Sequence, residues 1–146
     1  MAEYRILICG DRNWSDYDMI LGFVSSLPKN SIIINGMAKG ADKMAGKAGE
    51  ANGLEVLKFP ADWSGPKKKA AGIFRNIQMI EEGLPTHVIA YHNDIQNSKG
   101  TKHMVSISLK AGVPTYLNVK HWVDIELGMK QIEIDGPKKE KEVDLF

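Results

Sequence analysis

The sequence has a single cysteine, Cys9, among its 146 residues. One thiol excludes an internal disulfide and a cysteine-rich zinc site, and it fits a reducing compartment. The four histidines, His87, His92, His103 and His121, show no metal-ligand spacing, so we expect no metal site. The sequence therefore points away from a disulfide scaffold and from a metalloenzyme.

Long hydrophobic runs and an excess of one charge are also missing. The first apolar run, Ile6 to Cys9, has four residues, too few for a signal-peptide core or a membrane span. Nineteen Lys and Arg residues against 18 Asp and Glu residues give a net charge of +1, which offers no broad attraction to nucleic acid. We therefore expect a cytoplasmic protein that contacts no membrane and binds no duplex nucleic acid strongly.

The composition predicts one globular domain followed by a charged tail. Hydrophobic residues make up 43% of the chain and charged residues 25%, which is ordinary for a folded domain. Residues 131–146 carry three lysines and five carboxylates, so we assign a domain to residues 1–130 and a flexible tail to 131–146. The last four residues resemble a short docking peptide that could contact a partner weakly: Val143, Asp144, Leu145 and Phe146.

Short apolar segments alternate with segments of helical spacing. We predict strands at residues 5–9, 31–35, 54–59, 86–91 and 113–119, and helices at 16–27, 41–51, 67–82 and 104–111. The small residues of the second helix suit close packing on a sheet. The alternation predicts a Rossmann-like α/β fold, with an open, mainly parallel sheet of about five strands flanked by helices.

The loop after the second predicted strand carries Gly36, Lys39, Gly40 and Asp42. Ligands of open α/β sheets bind beyond the carboxyl ends of the strands. Two glycines let this loop turn tightly, and the following helix offers N–H groups to an anion. The alternative is that the glycines only shape the turn and Asp42 only stabilises the helix start.

The loop after the fourth strand repeats this arrangement with Ser98, Lys99, Gly100 and Thr101. A glycine beside a hydroxyl residue at a helix start can hold phosphate through backbone N–H and Oγ groups. The alternative is that Ser98 only caps the helix. Two such loops at one sheet edge favour phosphate binding more than either loop alone.

Four further side chains fall near the same predicted edge. Arg75 offers a planar donor fork suited to phosphate, and Asn76 follows it. Trp14 and Trp63 lie in edge loops and could stack on a base, although each could equally be a packing residue. There is no G-x-S-x-G nucleophile elbow and no P-loop GKS/T.

Five ordered motifs together resemble a YspA-type member of the SLOG superfamily, related to the Smf/DprA and LOG proteins. They are Gly10-x-Arg12-x-Trp14, Gly36-x-Ala38-Lys39-Gly40-Ala41-Asp42, Pro60-x-Asp62-Trp63, Ala71-Gly72-x-x-Arg75-Asn76-x-x-Met79 and Ser98-Lys99-Gly100-Thr101. The resemblance implies a Rossmann-like domain that binds a nucleotide, and it implies a homo-oligomer. The expected ligand-binding residues are Gly10, Arg12, Trp14, Gly36, Lys39, Gly40, Asp42, Trp63, Arg75, Asn76, Ser98, Lys99, Gly100 and Thr101.

One departure from the LOG pattern bears on catalysis. LOG enzymes carry PGGxGTxxE, and Met104 stands here at the position of its glutamate. A methionine cannot move a proton or stabilise an oxocarbenium ion. We therefore expect binding of a nucleotide-derived ligand such as an ADP-ribose or NAD-derived signal, without turnover and without a required cofactor. The alternatives are a phosphoribohydrolase-like enzyme using Asp42 or Asp62, and a weak single-strand nucleic-acid module.

Overall fold

The computed structural model describes residues 4–66 and 70–134. Its strands are β1 Tyr4–Gly10, β2 Ser31–Asn35, β3 Glu55–Lys58, β4 His87–Tyr91 and β5 Thr115–Leu117. Its α-helices are α1 Tyr17–Ser25, α2 Ala41–Ala51, α3 Ala71–Glu81, α4 Gly100–Lys110 and α5 Trp122–Glu126, with a 3-10 turn at Ile95–Asn97. The predicted helix start at residues 67–69 and the docking peptide at 143–146 lie outside the described residues.

The strands form one sheet in the order β3-β2-β1-β4-β5, and every neighbouring pair is parallel. The predicted Rossmann-like α/β fold is confirmed. The chain builds outward from β1 through β2 to β3, and β4 then pairs on the other side of β1. Because the loops after β1 and β4 leave the sheet in opposite directions, a crevice opens between them, where ligands bind in such sheets.

The apolar run of β1 serves two cores, one on each face of the sheet. Ile6 and Ile8 pack in the core that also holds Phe23 of α1. Leu7 and Cys9 point to the opposite face and pack with Met104 of α4. Since successive side chains of a strand alternate between faces, a strand covered on both sides must be continuously apolar.

Small residues bring α2 close to the sheet, as the sequence predicted. Ala45 and Ala48 have no exposed surface. A Cβ built on Gly49 would lie 3.0 Å from Cγ1 of Ile33 and 2.9 Å from Cγ2 of Val56, so this helix face leaves no room for a side chain. The close packing fixes the start of α2, and with it the loop that follows β2.

Some element bounds differ from the prediction. α4 begins at Gly100, four residues before Met104, the first apolar residue that marked it in the sequence, and the Gly100-Thr101 segment forms its first turn, as expected of a helix start. β5 ends at Leu117 because Asn118 takes a left-handed conformation with φ +53°. The short helix α5 was not predicted, because five residues show too little periodicity. None of the helices in the described ranges has the length and apolar character needed to cross a membrane.

Candidate ligand-binding site

A cavity of about 820 Å³ lies at the carboxyl ends of β1, β2 and β4, between the first turns of α3 and α4. Its volume falls in the range of about 300–1,000 Å³ typical of small-molecule sites. Eleven of the 14 residues predicted to bind ligand line it: Gly10, Arg12, Lys39, Asp42, Trp63, Arg75, Asn76, Ser98, Lys99, Gly100 and Thr101. The structure thus brings together residues from five separate sequence motifs.

The loop after β1 joins two other parts of the site through the backbone of Asp11. Its N–H donates to the carbonyl oxygen of Tyr91, at the end of β4, over 2.8 Å. Its carbonyl oxygen accepts from the N–H of Trp14 at 3.0 Å and of Ala41 at 3.1 Å. Ala41 is the first residue of α2, so the first N–H group of this helix is already hydrogen-bonded within the protein and is not available to a ligand.

The predicted glycine loop after β2 therefore acts mainly as scaffold. Gly40 has φ +76°, and a Cβ there would lie 2.3 Å from the carbonyl oxygen of Asp11. A Cβ on Gly36 would overlap the Arg75 guanidinium. Neither glycine lines the cavity, so the placement favours the reading that they shape the turn, and their direct contact with ligand stays a prediction. Lys39, between them, does line it.

Asp42 organises the same loops from the interior. Its Oδ2 accepts a hydrogen bond from the N–H of Gly36 at 3.1 Å. Burial raises the pKa of this carboxyl to about 6, against the lowering effects of Arg75 and of the backbone N–H groups of Gly36, Ala38 and Gly10. A carboxylate held by this many groups of the protein is placed to tie the end of β1 and the loop after β2 to α3.

Arg75 and Asn76 connect α3 to both neighbouring walls of the cavity. The Arg75 guanidinium donates to the carbonyl oxygen of Gly36, and its Nε donates to Oδ1 of Asn76 at 3.0 Å. Asn76 Nδ2 lies 3.4 Å from the carbonyl oxygen of Gly100 and 3.0 Å from Nδ1 of His103. Both side chains were predicted as ligand contacts, and both also hold the site together.

The first turn of α4 faces the cavity. Ser98, one residue before the N-cap Lys99, accepts from the N–H of Lys102 at 3.1 Å through its Oγ and donates to the carbonyl oxygen of Ile95 at 2.8 Å, so it satisfies one N–H of the first turn. Gly100 and buried Thr101 line the cavity, and a Cβ built on Gly100 meets no atom within 4 Å. The helix start is therefore open on the cavity side, where the helix dipole favours an anion.

The two edge-loop tryptophans have different environments. Trp14 is 9% exposed, its Nε1 donates to the carbonyl oxygen of Asp16 at 2.9 Å, and its ring lies 5.6 Å from that of Tyr91. It packs in the core and does not line the cavity, which favours its reading as a packing residue, and its stacking on a base stays a prediction. Trp63 is 61% exposed and lines the cavity beside Gly72.

The two carboxylates considered for catalysis do not share a cavity. Asp62 accepts a hydrogen bond from Ser64 Oγ and lines a separate cavity of about 370 Å³. Met104, at the sequence position of the glutamate in the LOG pattern, is buried and borders the larger cavity. Cys9 also borders the larger cavity, but burial and the Asp42 carboxylate raise the pKa of its thiol, so it is an unreactive core residue.

Sequence reasoning did not predict several residues of the site. Asn118, after β5, accepts from the N–H of His92 at 2.9 Å and donates to its carbonyl oxygen at 3.1 Å, which fixes the loop after β4. His103 lines the cavity, and its Nδ1 lies 3.0 Å from Nδ2 of Asn76. The position of His103 three residues after Gly100, one turn into the helix, was the available signal.

The comparisons with known proteins agree with this fold. Residues 4–65 match the YspA, cpYpsA-related SLOG family. The resemblance stated from the motifs is confirmed over this stretch, which holds the loops after β1 and β2 and the Asp62-Trp63 segment. Arg75, Asn76 and residues 98–101 lie beyond the match. Comparison with the curated proteins gives no match.

A solved structure also resembles the chain. It is the X-ray structure of DNA processing protein A (DprA) from Streptococcus pneumoniae, with a TM-score of 0.63 and 17% sequence identity. The alignment covers 78% of this chain and 50% of the DprA chain, so the chain spans about half the length of that protein. At this identity the likeness shows a shared fold.

Proposed function

We propose that the protein binds a nucleotide or nucleotide-derived ligand of the ADP-ribose or NAD type in the 820 Å³ cavity, and does so without turnover. One observation carries the proposal. One cavity lies at the point where strand order reverses, and the open first turn of α4 borders it. Three exposed cationic side chains border the same cavity: Arg12, Lys39 and Lys99.

The phosphate groups would lie at the start of α4. Its first backbone N–H groups have no partner within the helix, and the hydrogen bond from the Lys102 N–H to Ser98 Oγ holds the turn in place. Counting Arg75, four cationic side chains border the cavity against two carboxylates, Asp11 and Asp42. This balance suits a focused site for a small anion in a protein of nearly neutral total charge.

The base or ribose would lie against Trp63. This side chain and Ile73 are 61% and 49% exposed, and both line the cavity. Large apolar side chains seldom stay this exposed without a function when they border a cavity with converging polar groups. A tryptophan stacks on any base, at about 1–3 kcal/mol per base.

Binding without turnover is supported by the groups that surround the expected phosphate position. Met104 supplies no proton and no negative charge. Asp42, the carboxylate that borders the cavity from α2, already accepts hydrogen bonds from the loop backbone. Glycoside hydrolysis generally uses two carboxyl groups beside the scissile bond. The other carboxylate that borders the cavity, Asp11, accepts a hydrogen bond from the N–H of Asn13 at 2.9 Å.

Isothermal titration calorimetry of the full chain tests the proposal, with AMP, ADP, ADP-ribose and NAD⁺ as ligands and adenosine as the phosphate-free control. We expect binding of at least one phosphate-bearing compound and none of adenosine. Lys99→Ala weakens that binding, while the matched variant Lys110→Ala, at the exposed far end of the same helix, leaves it unchanged.

Chromatography of the ligand after prolonged incubation tests the absence of turnover. Recovery of intact ligand supports a binding protein. Release of the free base, abolished in Asp42→Asn, would instead establish a hydrolase. If folded protein binds none of the phosphate-bearing compounds, the proposed function is wrong.

A further inference from the structure

A chain of hydrogen bonds across α3 and α4 leads from Arg75 to His103. Arg75 Nε donates to Asn76 Oδ1 at 3.0 Å, and Asn76 Nδ2 lies 3.0 Å from His103 Nδ1. Arginine carries donors only, so the Asn76 atom that faces it must be the carbonyl oxygen. The amide NH₂ group therefore faces the imidazole, and Nδ1 of His103 must accept.

This direction determines where the imidazole carries its proton. A neutral imidazole with an accepting Nδ1 has its hydrogen on Nε2. A proton on Nδ1 would point at the NH₂ group of Asn76, so that two donors would face each other. Rotation of the Asn76 amide would remove that clash but would place its NH₂ group against the Arg75 Nε–H, which is also a donor. Burial also lowers the pKa of His103, which favours the neutral ring.

We propose that Asn76 holds His103 as the neutral Nε2–H tautomer, so that the ring donates a hydrogen bond to a phosphate oxygen of the bound ligand. His103 lies three residues after Gly100 and lines the same cavity. Asn76 also contacts the carbonyl oxygen of Gly100, so it ties the imidazole to the first turn of α4. This inference rests on the proposed function and adds a specific donor, with Asn76 as its positioning residue.

Two substitutions at position 103 test the roles of the two ring nitrogens separately. His103→Gln keeps an N–H donor near the place of Nε2. His103→Asn keeps an acceptor near the place of Nδ1, where Asn76 donates, but nothing that reaches toward the cavity. We expect His103→Asn to weaken ADP-ribose binding about 10- to 100-fold, the effect of one hydrogen bond to a charged group, and His103→Gln to retain most of the affinity.

Long-range ¹H–¹⁵N spectra of the full chain report the tautomer without any ligand. The expected result is a protonated Nε2 and an unprotonated Nδ1 in the wild type, and a mixture of tautomers in Asn76→Ala. An Nδ1–H tautomer in the wild type, or equal ligand affinity in wild type and His103→Asn, overturns the inference.

The two proposals can fail separately. If the wild type binds ADP-ribose and His103→Asn binds it equally well, the proposed function stands and the donor role is wrong. If the wild type binds no phosphate-bearing compound, the proposed function and the donor role are both wrong, whatever tautomer the spectra show.

Discussion

The guanidinium of Arg75, on α3, donates a hydrogen bond to the carbonyl oxygen of Gly36, the residue that follows β2. A side chain at position 36 would overlap that guanidinium, so the contact with Arg75 requires a glycine at this position. Arg75 also borders both cavities described above. Arg75, one of the residues predicted to bind phosphate, thus joins α3 to the loop after β2.

Removal of this contact should destabilise the fold. Arg75→Ala leaves the Gly36 carbonyl and Asn76 Oδ1 without their donor, and we expect a loss of about 1–3 kcal/mol in the free energy of unfolding. Arg75→Lys should not restore it, because one ammonium cannot span both acceptors as the planar fork does. Urea unfolding measures both, with exposed Lys99→Ala as the control for loss of one charge; equal stability of Arg75→Ala and wild type contradicts the structure.

Two glycines with similar positive φ angles should respond differently to alanine. Gly40 has φ +76° and Gly53 has φ +70°. A Cβ at Gly40 meets the Asp11 carbonyl oxygen at 2.3 Å, whereas one at Gly53 meets nothing within 4 Å. Gly53→Ala should cost only the backbone strain of about 1–2 kcal/mol, and Gly40→Ala clearly more. Similar midpoints in denaturant for the two variants would show that the loops after β1 and β2 are not packed as described.

The exposed tryptophan gives a direct optical probe of the ligand. Trp14 and Trp122 are buried, so a ligand in the cavity should change mainly the fluorescence of Trp63. Trp63→Ala should weaken nucleotide binding about tenfold or more, and Trp63→Phe, which keeps a stacking surface, should weaken it less. Neither change should alter stability by much more than about 0.5 kcal/mol, because the side chain is exposed. Unchanged affinity in Trp63→Ala would place the base elsewhere.

The buried carboxyl of Asp42 predicts a pH dependence of stability. Its pKa is raised from 3.8 to about 6, so the folded protein binds a proton more tightly than the unfolded chain. Protonation of Asp42 therefore adds to the free energy of unfolding; this contribution is fully present below about pH 4 and is lost as pH rises through about 6. Between pH 7 and pH 5 the wild type should gain about 1 kcal/mol relative to Asp42→Asn.

Two measurements check this dependence. Urea unfolding of both proteins at the two pH values gives the difference in free energy. The ¹³C resonance of the Asp42 carboxyl gives the midpoint in the wild type alone, which covers the case of a variant that does not fold. A midpoint near pH 4 would mean that the carboxyl is more solvated than the structure has it.

Local patterns in the sequence were enough to predict the fold. The apolar run of β1, the small residues of α2 and the alternation of elements each follow from covering both faces of a parallel sheet. The grouping of the loops was predictable too, because parallel strands end at one edge. Residues such as Lys39 and Lys99 therefore fell in the cavity as expected.

The partners of individual groups could not be predicted in the same way. Trp14 lies in the core because its ring packs on Tyr91, 77 positions away in the chain, and Arg75 finds the Gly36 carbonyl across 39 positions. The role of His103 depends on a contact with another helix. Such choices rest on distances of a few ångströms between segments remote in sequence, and no local periodicity encodes them.

The most direct test of the account is a titration of the ¹⁵N-labelled full chain with ADP-ribose, followed in amide spectra. We expect saturable chemical-shift changes of the amide signals of Lys39, Lys99, Gly100 and Thr101 and of the Trp63 indole N–H. Ser31 and Thr86, near the amino ends of β2 and β4 at the opposite edge of the sheet, should not move. Absence of saturable shifts at the first group in folded protein, or shifts concentrated at the second, would contradict the central claim that the phosphate binds at the start of α4.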